Sequence, residues 1–462
     1  MESNQVSAKE LKQAMAADFD RLAEEVVTAM NAAKDGHIIA DTEELVRDAN
    51  AVFREQMYAR AISLLQSKQE AFSPQPQGLR NKGRQQVTHL TVNGRLSVCR
   101  TVYWSAKSGT VMPTDQWLGL TQHRISPGVR EMCCREALHC PFEVASDNLQ
   151  RTAQLSIAGR SLREVVENQG RSVLTAQGKG SLRPAFTAAD CTGQTVITGA
   201  DGVMVPLVTE EQKDKRRQTE SAKRLKQGRS STAQVGRPKQ GSDGPYKEFK
   251  VLTFYDPDKS HCQVVATSGN HEALGRLMRR EARRLHLAQA KVKYALSDGA
   301  EWIANQYRQQ LPMLDEHILD YHHFRDHVVE ASHVLYGEGT QKAVHWREEM
   351  MGCVWEHGSL VLLDRLGSYL RHHRNGVKHE VLESLRDFVV KRVAMTDYPR
   401  FRQLGYDCGS GPTESQCGTL TDRLKGPGMR WDNSNAEALM ALACLSHSGL
   451  WSIYWKAERE AA

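Results

Sequence analysis

A multi-domain α/β fold built on a mixed sheet in three layers is what the sequence predicts, from three observations. Residues 185–330 alternate apolar, β-branched runs with helical ones. Those runs come as three strands in series and then helix, strand, helix, strand, the order of a sheet with helices packed against it. A chain of 462 residues is also too long for a single core, so two to four domains are expected.

Composition narrows the class. Charged residues make up 25% and hydrophobic residues 40%, as in a soluble globular protein. Lys+Arg 61 against Asp+Glu 55 gives a formal net charge of +6, so a nucleic-acid partner must be argued from local clustering. The N-terminus MESNQVSAKELKQ has no apolar signal core, and no apolar run is long enough to span a bilayer, so cytoplasm is expected. Ten cysteines without a repeated short spacing predict free thiols, with neither a disulfide framework nor a zinc knuckle.

Taken in order, residues 8–70 read as two helices. Leu11, Met15, Phe19, Leu22, Val26 and Met30 recur at three- and four-residue spacing, and so do Leu45, Ala49, Val52, Phe53, Met57 and Ile62. Such stripes serve either packing on the chain itself or pairing with a second copy. FSPQPQGLRNKGRQQ reads as a linker. In VTHLTVNGRLSVCRTVYWS, alternating runs flank Asn93-Gly94, which predicts a β-hairpin. From Ser126, PGVREMCCREALHC, PFEVASDNLQRTAQL and SIAGRSLREVVENQG predict three helices. The third, carrying Arg160, Arg163 and Asn168, makes either a helix-turn-helix reading head or a small bundle with a polar face.

Strands are predicted at 193–208, 247–256, 261–267, 291–296 and 316–321, and helices at 271–287 and 299–311. Between the first two strands, residues 210–244 are polar and rich in Lys and Arg, including Arg216, Arg217 and Arg224. This segment reads as a flexible solvated loop able to touch phosphate. Residues 322–404 are predicted to be almost entirely helical, and a closing helix is predicted over 435–455.

Three acids stand at points where chemistry is plausible. Asp201 interrupts the apolar run TVITGADGVMVPLV, and Asp298 sits just past a strand and opens a helix. Glu414 falls in the first turn of a helix that opens with Gly411-Pro412 and runs into Arg423, Lys425 and Gly426-Pro427-Gly428, with Arg430 and Trp431 beyond. Each has an ordinary structural alternative. Glu414 closes a capping box with Ser410 or Gly411, and Asp298 and Glu301 form another. Lys425, Arg430 and Trp431 are expected to contact DNA, with Trp431 stacked on a base, the alternative being Trp431 as core. Together, one acid in a strand, one at a strand end and one at a helix start suggest a divalent-metal site.

DGVMVPL, LSDGAEW, ILDYHHFRDHV and GSGPTESQCGTLTDRLKGPGMRW resemble successive blocks of bacterial insertion-sequence transposases of the DDE type, most closely the ISKra group. The likeness runs over about residues 85–460 and is most specific in its last block. It implies an RNase H-like catalytic domain in two parts (181–330 and 405–462) around an all-helical insertion (331–404), preceded by a helical region (1–78), a β-ribbon (79–120) and a helix-turn-helix domain (121–180). It implies that Asp201, Asp298 and Glu414 hold Mg²⁺, with Mn²⁺ as substitute, and that Asp320 and His323 support them, as the Asp-x-x-His pair of related enzymes does. The resemblance departs at the ribbon, where the expected zinc ligands are replaced around Trp104-Ser105-Ala106-Lys107 and only Cys99 remains, so zinc is not expected.

The expectation is therefore a DDE transposase, associated with the nucleoid, that acts on double-stranded DNA by Mg²⁺-dependent cleavage and strand transfer. The family adds a homodimer or higher oligomer on paired ends. The alternatives are an RNase H-like nuclease or resolvase that cuts without joining, and a domesticated DNA-binding protein without catalysis.

Overall fold

The computed structural model describes residues 5–72, 77–120, 124–230 and 240–461. It is a mixed α/β protein with a three-stranded antiparallel sheet and a mixed five-stranded sheet. Contacts divide it into two compact units, one of Met1–Gln169 with Ser452–Ala462 and one of Gly170–Trp451.

The first unit opens with a helical hairpin, α1 (Ala8–Ala32) and α2 (Ile38–Phe72). Ser7 and Glu10 close a capping box at the start of α1. Asp18, buried on α1, pairs with Arg60 of α2 at 3.0 Å, which fixes the register of the hairpin, and Phe19 meets Phe53 edge to face. The ribbon follows as β1 (Arg80–Thr91), β2 (Gly94–Ser105) and β3 (Gly109–Val111). Strand β1 starts inside the segment expected to be a linker; in the described part of that segment, residues 80–81 and 84–86 pair with β2 around a bulge at 82–83. The reversal is at Val92-Asn93, one residue earlier than the Asn-Gly signal suggested, and Gly94 takes φ +110 as the first residue of β2. The short α3 (Pro113–Leu118) precedes α4 (Pro127–Ala137), α5 (Phe142–Ala153) and α6 (Gly159–Lys179); the first residues of the expected helix-turn-helix domain, 121–123, lie outside the described ones.

In the second unit, α7 (Ala188–Cys191) leads into β4 (Thr195–Pro206), followed by α8 (Glu210–Lys226), β5 (Tyr246–Tyr255), β6 (Cys262–Thr267), α9 (His271–Arg284), β7 (Val292–Ser297), α10 (Glu301–Gln310) and β8 (Glu316–Leu319). The sheet order is β6-β5-β4-β7-β8; β5 pairs antiparallel with both β6 and β4, and β7 pairs parallel with both β4 and β8. Successive β4 residues face opposite sides, as the two-residue period of a strand requires. Ile197 enters the core shared with the following helices, and Val196 enters the core shared with α9 and α10. The helices α11 (Tyr321–Tyr336), α12 (Gln341–His357), α13 (Ser359–His372), α14 (Val377–Val390) and α15 (Tyr398–Gln403) close the first of these layers. Each of their fully buried Leu or Phe side chains contributes about 1.5–3 kcal/mol.

Two expectations need correction here. Residues 210–226 of the expected loop form helix α8, because Thr209 and Gln212 close a capping box, Glu210 and Glu211 lie at its start, Lys223, Arg224 and Lys226 at its end, and Lys215 pairs with Glu211 one turn away. The part of the same segment at 231–239 lies outside the described residues. The closing helix is two, α17 (Asn433–His447) and α18 (Trp451–Glu460), because Gly449 takes φ +66 and the N–H of Leu450 turns back to Leu445 C=O at 3.1 Å, a glycine stop. Among the described residues no helix is long and apolar enough to cross a membrane, and the cysteines are free thiols.

Candidate active site

Strand β4 is covered on both faces as far as Ala200 and emerges at Asp201 and Gly202, which are part exposed. Its parallel partner β7 ends at Ser297, after the pair Gly199 and Leu296. Asp201 and Asp298 each stand two residues beyond that pair, on neighbouring chains running the same way. Burial raises the pKa of Asp201, and the charge of Asp298 raises it further; the Gly202 N–H, donated at 2.6 Å, acts against both. Asp298 accepts the N–H of Ala300 at 2.8 Å and leaves α10 without a side-chain cap, so no capping box with Glu301 forms.

Helix α16 (Gly411–Asp422) brings the third acid. The chain returning from the helical layer is anchored first: Tyr406 stacks on Tyr294 of β7 at 4.5 Å, and the Asp407 N–H donates to the Tyr294 hydroxyl at 3.0 Å. The buried Asp320, at the start of α11, accepts the N–H groups of His322 at 2.6 Å and His323 at 2.9 Å through one oxygen and the Ser410 N–H through the other. Ser410 stands just before α16 without a side-chain cap hydrogen bond, and Thr413 seats the helix on the sheet by a 2.8 Å hydrogen bond to Thr253. Gly199 lies under this contact: a Cβ there would overlap Thr413 Oγ1. One turn on is the buried Cys417: burial first and then the Asp201 charge raise its thiol's pKa, and the thiol in turn lowers that of Asp201.

Glu414 is therefore held over the sheet between two donors. Ser410 Oγ donates to its Oε1 at 2.9 Å, and His323 Nε2 lies 3.1 Å from the same oxygen. The charge of His323 is also felt at Asp201. Asp320 has both oxygens occupied by backbone N–H groups, so its place is to position α11 and α16.

The donor set suits a divalent cation in part. Asp201 and Asp298 repel one another in a part-buried setting that a cation would relieve, and oxygen ligands are those Mg²⁺ prefers. Among the described residues, however, no three His, Cys, Asp or Glu side chains are already gathered about one point. Glu414 would have to turn from His323 to join the pair.

The expected DNA contacts are dispersed. Arg160, Arg163 and Asn168 lie exposed on α6, where Arg160 pairs with Glu164 at 3.5 Å and Arg163 with Glu167 at 3.6 Å. Arg216 is exposed on α8, Arg217 pairs with Glu210 and Asp214, and Arg224 donates to Ser230 C=O at 2.8 Å. Lys425 and Arg430 are exposed. Trp431 is buried: its Nε1 donates to Leu424 C=O at 3.0 Å, its backbone bridges to the end of β4, and the Arg423 guanidinium lies 5.1 Å from its ring centre. In this position it offers no ring face to a base.

Two residues near the acids carried no signal in the sequence. Cys417 is one. The other is Arg392, from the helical layer, which donates to Gly299 C=O at 2.9 Å and lies in the field of Asp298 and Glu301. Both meet the acids only through tertiary packing. No known family model matches the chain, and no curated protein sequence matches it.

Proposed function

We propose that the chain is a DDE-type transposase with an RNase H-like catalytic domain, acting on double-stranded DNA through Asp201, Asp298 and Glu414. The observation that carries the reading is the register of β4 and β7, which sets Asp201 beside Asp298, while Thr413 seats the first turn of α16 on the same sheet. The sheet order β6-β5-β4-β7-β8, three antiparallel strands then two parallel ones, supports the RNase H-like assignment, as does the helical layer interposed between Asp298 and Glu414.

In this reading Asp201, Asp298 and Glu414 would hold the divalent ions. Bound Mg²⁺ would supply activation of the attacking oxygen and stabilisation of the leaving one. The protein's own part is positional: β4 and β7 align two carboxylates, and Asp320 holds the start of α16 in place. His323 Nε2 holds the Glu414 carboxylate by its 3.1 Å contact in the resting site. The three helices α4, α5 and α6 would make the helix-turn-helix, with Arg160, Arg163 and Asn168 on the outer side of the last. Phe19, Val27 and Met30 on α1 and Ile39 and Met57 on α2 are exposed apolar side chains suited to pairing with a second copy.

The test is a strand-transfer assay. Purified protein is incubated in Mg²⁺ with labelled duplexes carrying the DNA that flanks its gene, and with a target plasmid. Joined product that is lost in Asp201→Asn, Asp298→Asn and Glu414→Gln supports the reading. Cleavage without joining would leave a nuclease, and equal products from all variants would remove the three acids from the chemistry.

A further inference from the structure

The basic surface of the first unit is concentrated where the candidate reading helix is not. From Ala71 to Thr114 the sequence has no Asp or Glu and six basic residues, Arg80, Lys82, Arg84, Arg95, Arg100 and Lys107. The formal net charge of the whole chain is +6, so outside this stretch the charges cancel. On α6 the comparison is unfavourable: Arg160 and Arg163 each have a Glu one turn along the same helix.

The ribbon exposes this charge at one end. Residues 80–86 of β1 are all exposed; Arg80, Asn81 and 84–86 pair with β2, and Lys82 and Gly83 bulge out of the ladder. Trp104 faces Arg80 across the ladder, is 43% exposed, and has Lys82 Nζ 5.5 Å from its ring centre. The turn after Ser105 adds Lys107, also exposed, at the same end. Neighbouring acids neutralise part of the set. Arg84 pairs with Glu70 at 2.6 Å and Arg100 pairs with Asp115, while Arg95, at the far turn, gives only its backbone N–H to Glu55. Arg80, Lys82 and Lys107 have no carboxylate partner among the described residues.

We infer that this end of the ribbon is a docking site for duplex DNA, with Arg80, Lys82 and Lys107 on phosphates and Trp104 against the groove wall. A two-stranded ribbon is of a size the major groove admits, and three unpaired cations around an exposed indole match a polyanion better than a protein surface. The inference rests on the proposed reading of the chain as a DNA-acting enzyme and adds the element that holds the duplex. Loss of the zinc ligands expected by resemblance is consistent with a ribbon held by its own packing, since Val87, Leu96 and Val98 bury against Tyr58, Ala59 and Ile62.

The experiment uses the full chain and a fluorescent 30-base-pair duplex of random sequence, read by anisotropy between 50 and 200 mM salt. Each phosphate contact contributes about 0.9 to the slope of log K against log salt, so Arg80→Gln/Lys82→Gln/Lys107→Gln should flatten the slope by about 2.7. Lys82→Arg alone should keep the wild-type slope. Circular dichroism of the triple variant establishes that it is folded. Wild-type protein that binds with a slope the triple variant shares overturns the ribbon inference and leaves the catalytic reading intact. Tighter binding of the same sequence as a single strand overturns the groove placement. No binding of the duplex at any salt overturns the inference together with the reading it rests on.

Discussion

The buried carboxylate of Asp320 accepts the backbone N–H of Ser410, four residues before Glu414. One acid at the end of β8 thus sets the height of the helix that carries another. Asp320→Ala leaves three backbone N–H groups without their acceptor and is expected to cost about 2–4 kcal/mol, the sum of a lost helix cap and a lost charge-assisted hydrogen bond. Urea unfolding monitored by tryptophan fluorescence measures it. A cost below about 0.5 kcal/mol would mean that Ser410 is held by other contacts.

Gly199→Ala tests the seating of α16 on the sheet. A methyl group at this position meets Thr413 Oγ1, so the helix must lift or the strand must bend. Overpacking of this kind costs about 1–3 kcal/mol. Gly199→Ala/Thr413→Ala should recover part of that loss, and a double variant no more stable than the single one contradicts the contact.

The Asp201 carboxyl has a pKa above its ordinary value of 3.8, first through burial and then through Asp298. A raised acid favours the fold while it is protonated; that contribution is complete below 3.8 and is lost as the pH rises through the folded-state value. At pH 7 the ionised group is therefore a cost. Asp201→Asn should melt at a higher temperature than wild type at pH 7, with the difference shrinking as the pH is lowered towards 4. Mg²⁺ at ten times its Kd should stabilise wild type by about 1.4 kcal/mol and leave Asp201→Asn nearly unchanged. Differential scanning fluorimetry across pH and Mg²⁺ checks both.

His261 offers an independent check on the electrostatics away from the acids. Its Nδ1 lies 2.8 Å from Asp256 and its Nε2 3.7 Å from Asp190; the hydrogen bond to Asp256 raises its pKa above 6.5. The stabilisation this gives is complete below pH 6.5 and fades as the pH rises through the folded value. His261→Gln should lower the melting temperature more at pH 5.5 than at pH 8.5. An equal loss at both would show that the ring acts by packing on Phe186 alone.

Much of the second unit was legible because its signals are local. Apolar β-branched runs marked β4 to β8 within a few residues, and Gly411-Pro412 marked the start of α16. Helix α8 was missed because its polar composition resembles solvated chain; its stability comes from a cap and one-turn charge pairs, visible only when the helical spacing is assumed. The burial of Trp431 depends on a bridge to the end of β4, far away in sequence, so its neighbours Lys425 and Arg430 misleadingly suggested a shared surface. Cys417 was legible as a helix residue but not as a group that acts on Asp201, and Arg392 reaches Gly299 across nearly the whole helical layer. Proximity of that kind is made by topology, and no spacing rule within one segment carries it.

The central claim is that Asp201, Asp298 and Glu414 serve one cation site, and anomalous scattering from crystals grown with Mn²⁺ tests it most directly. The account predicts manganese bound by Asp201 and Asp298, with Glu414 turned from His323 to join them. Manganese bound elsewhere, or an Asp201 and Asp298 pair without metal at millimolar Mn²⁺ while Glu414 stays on His323, would contradict it.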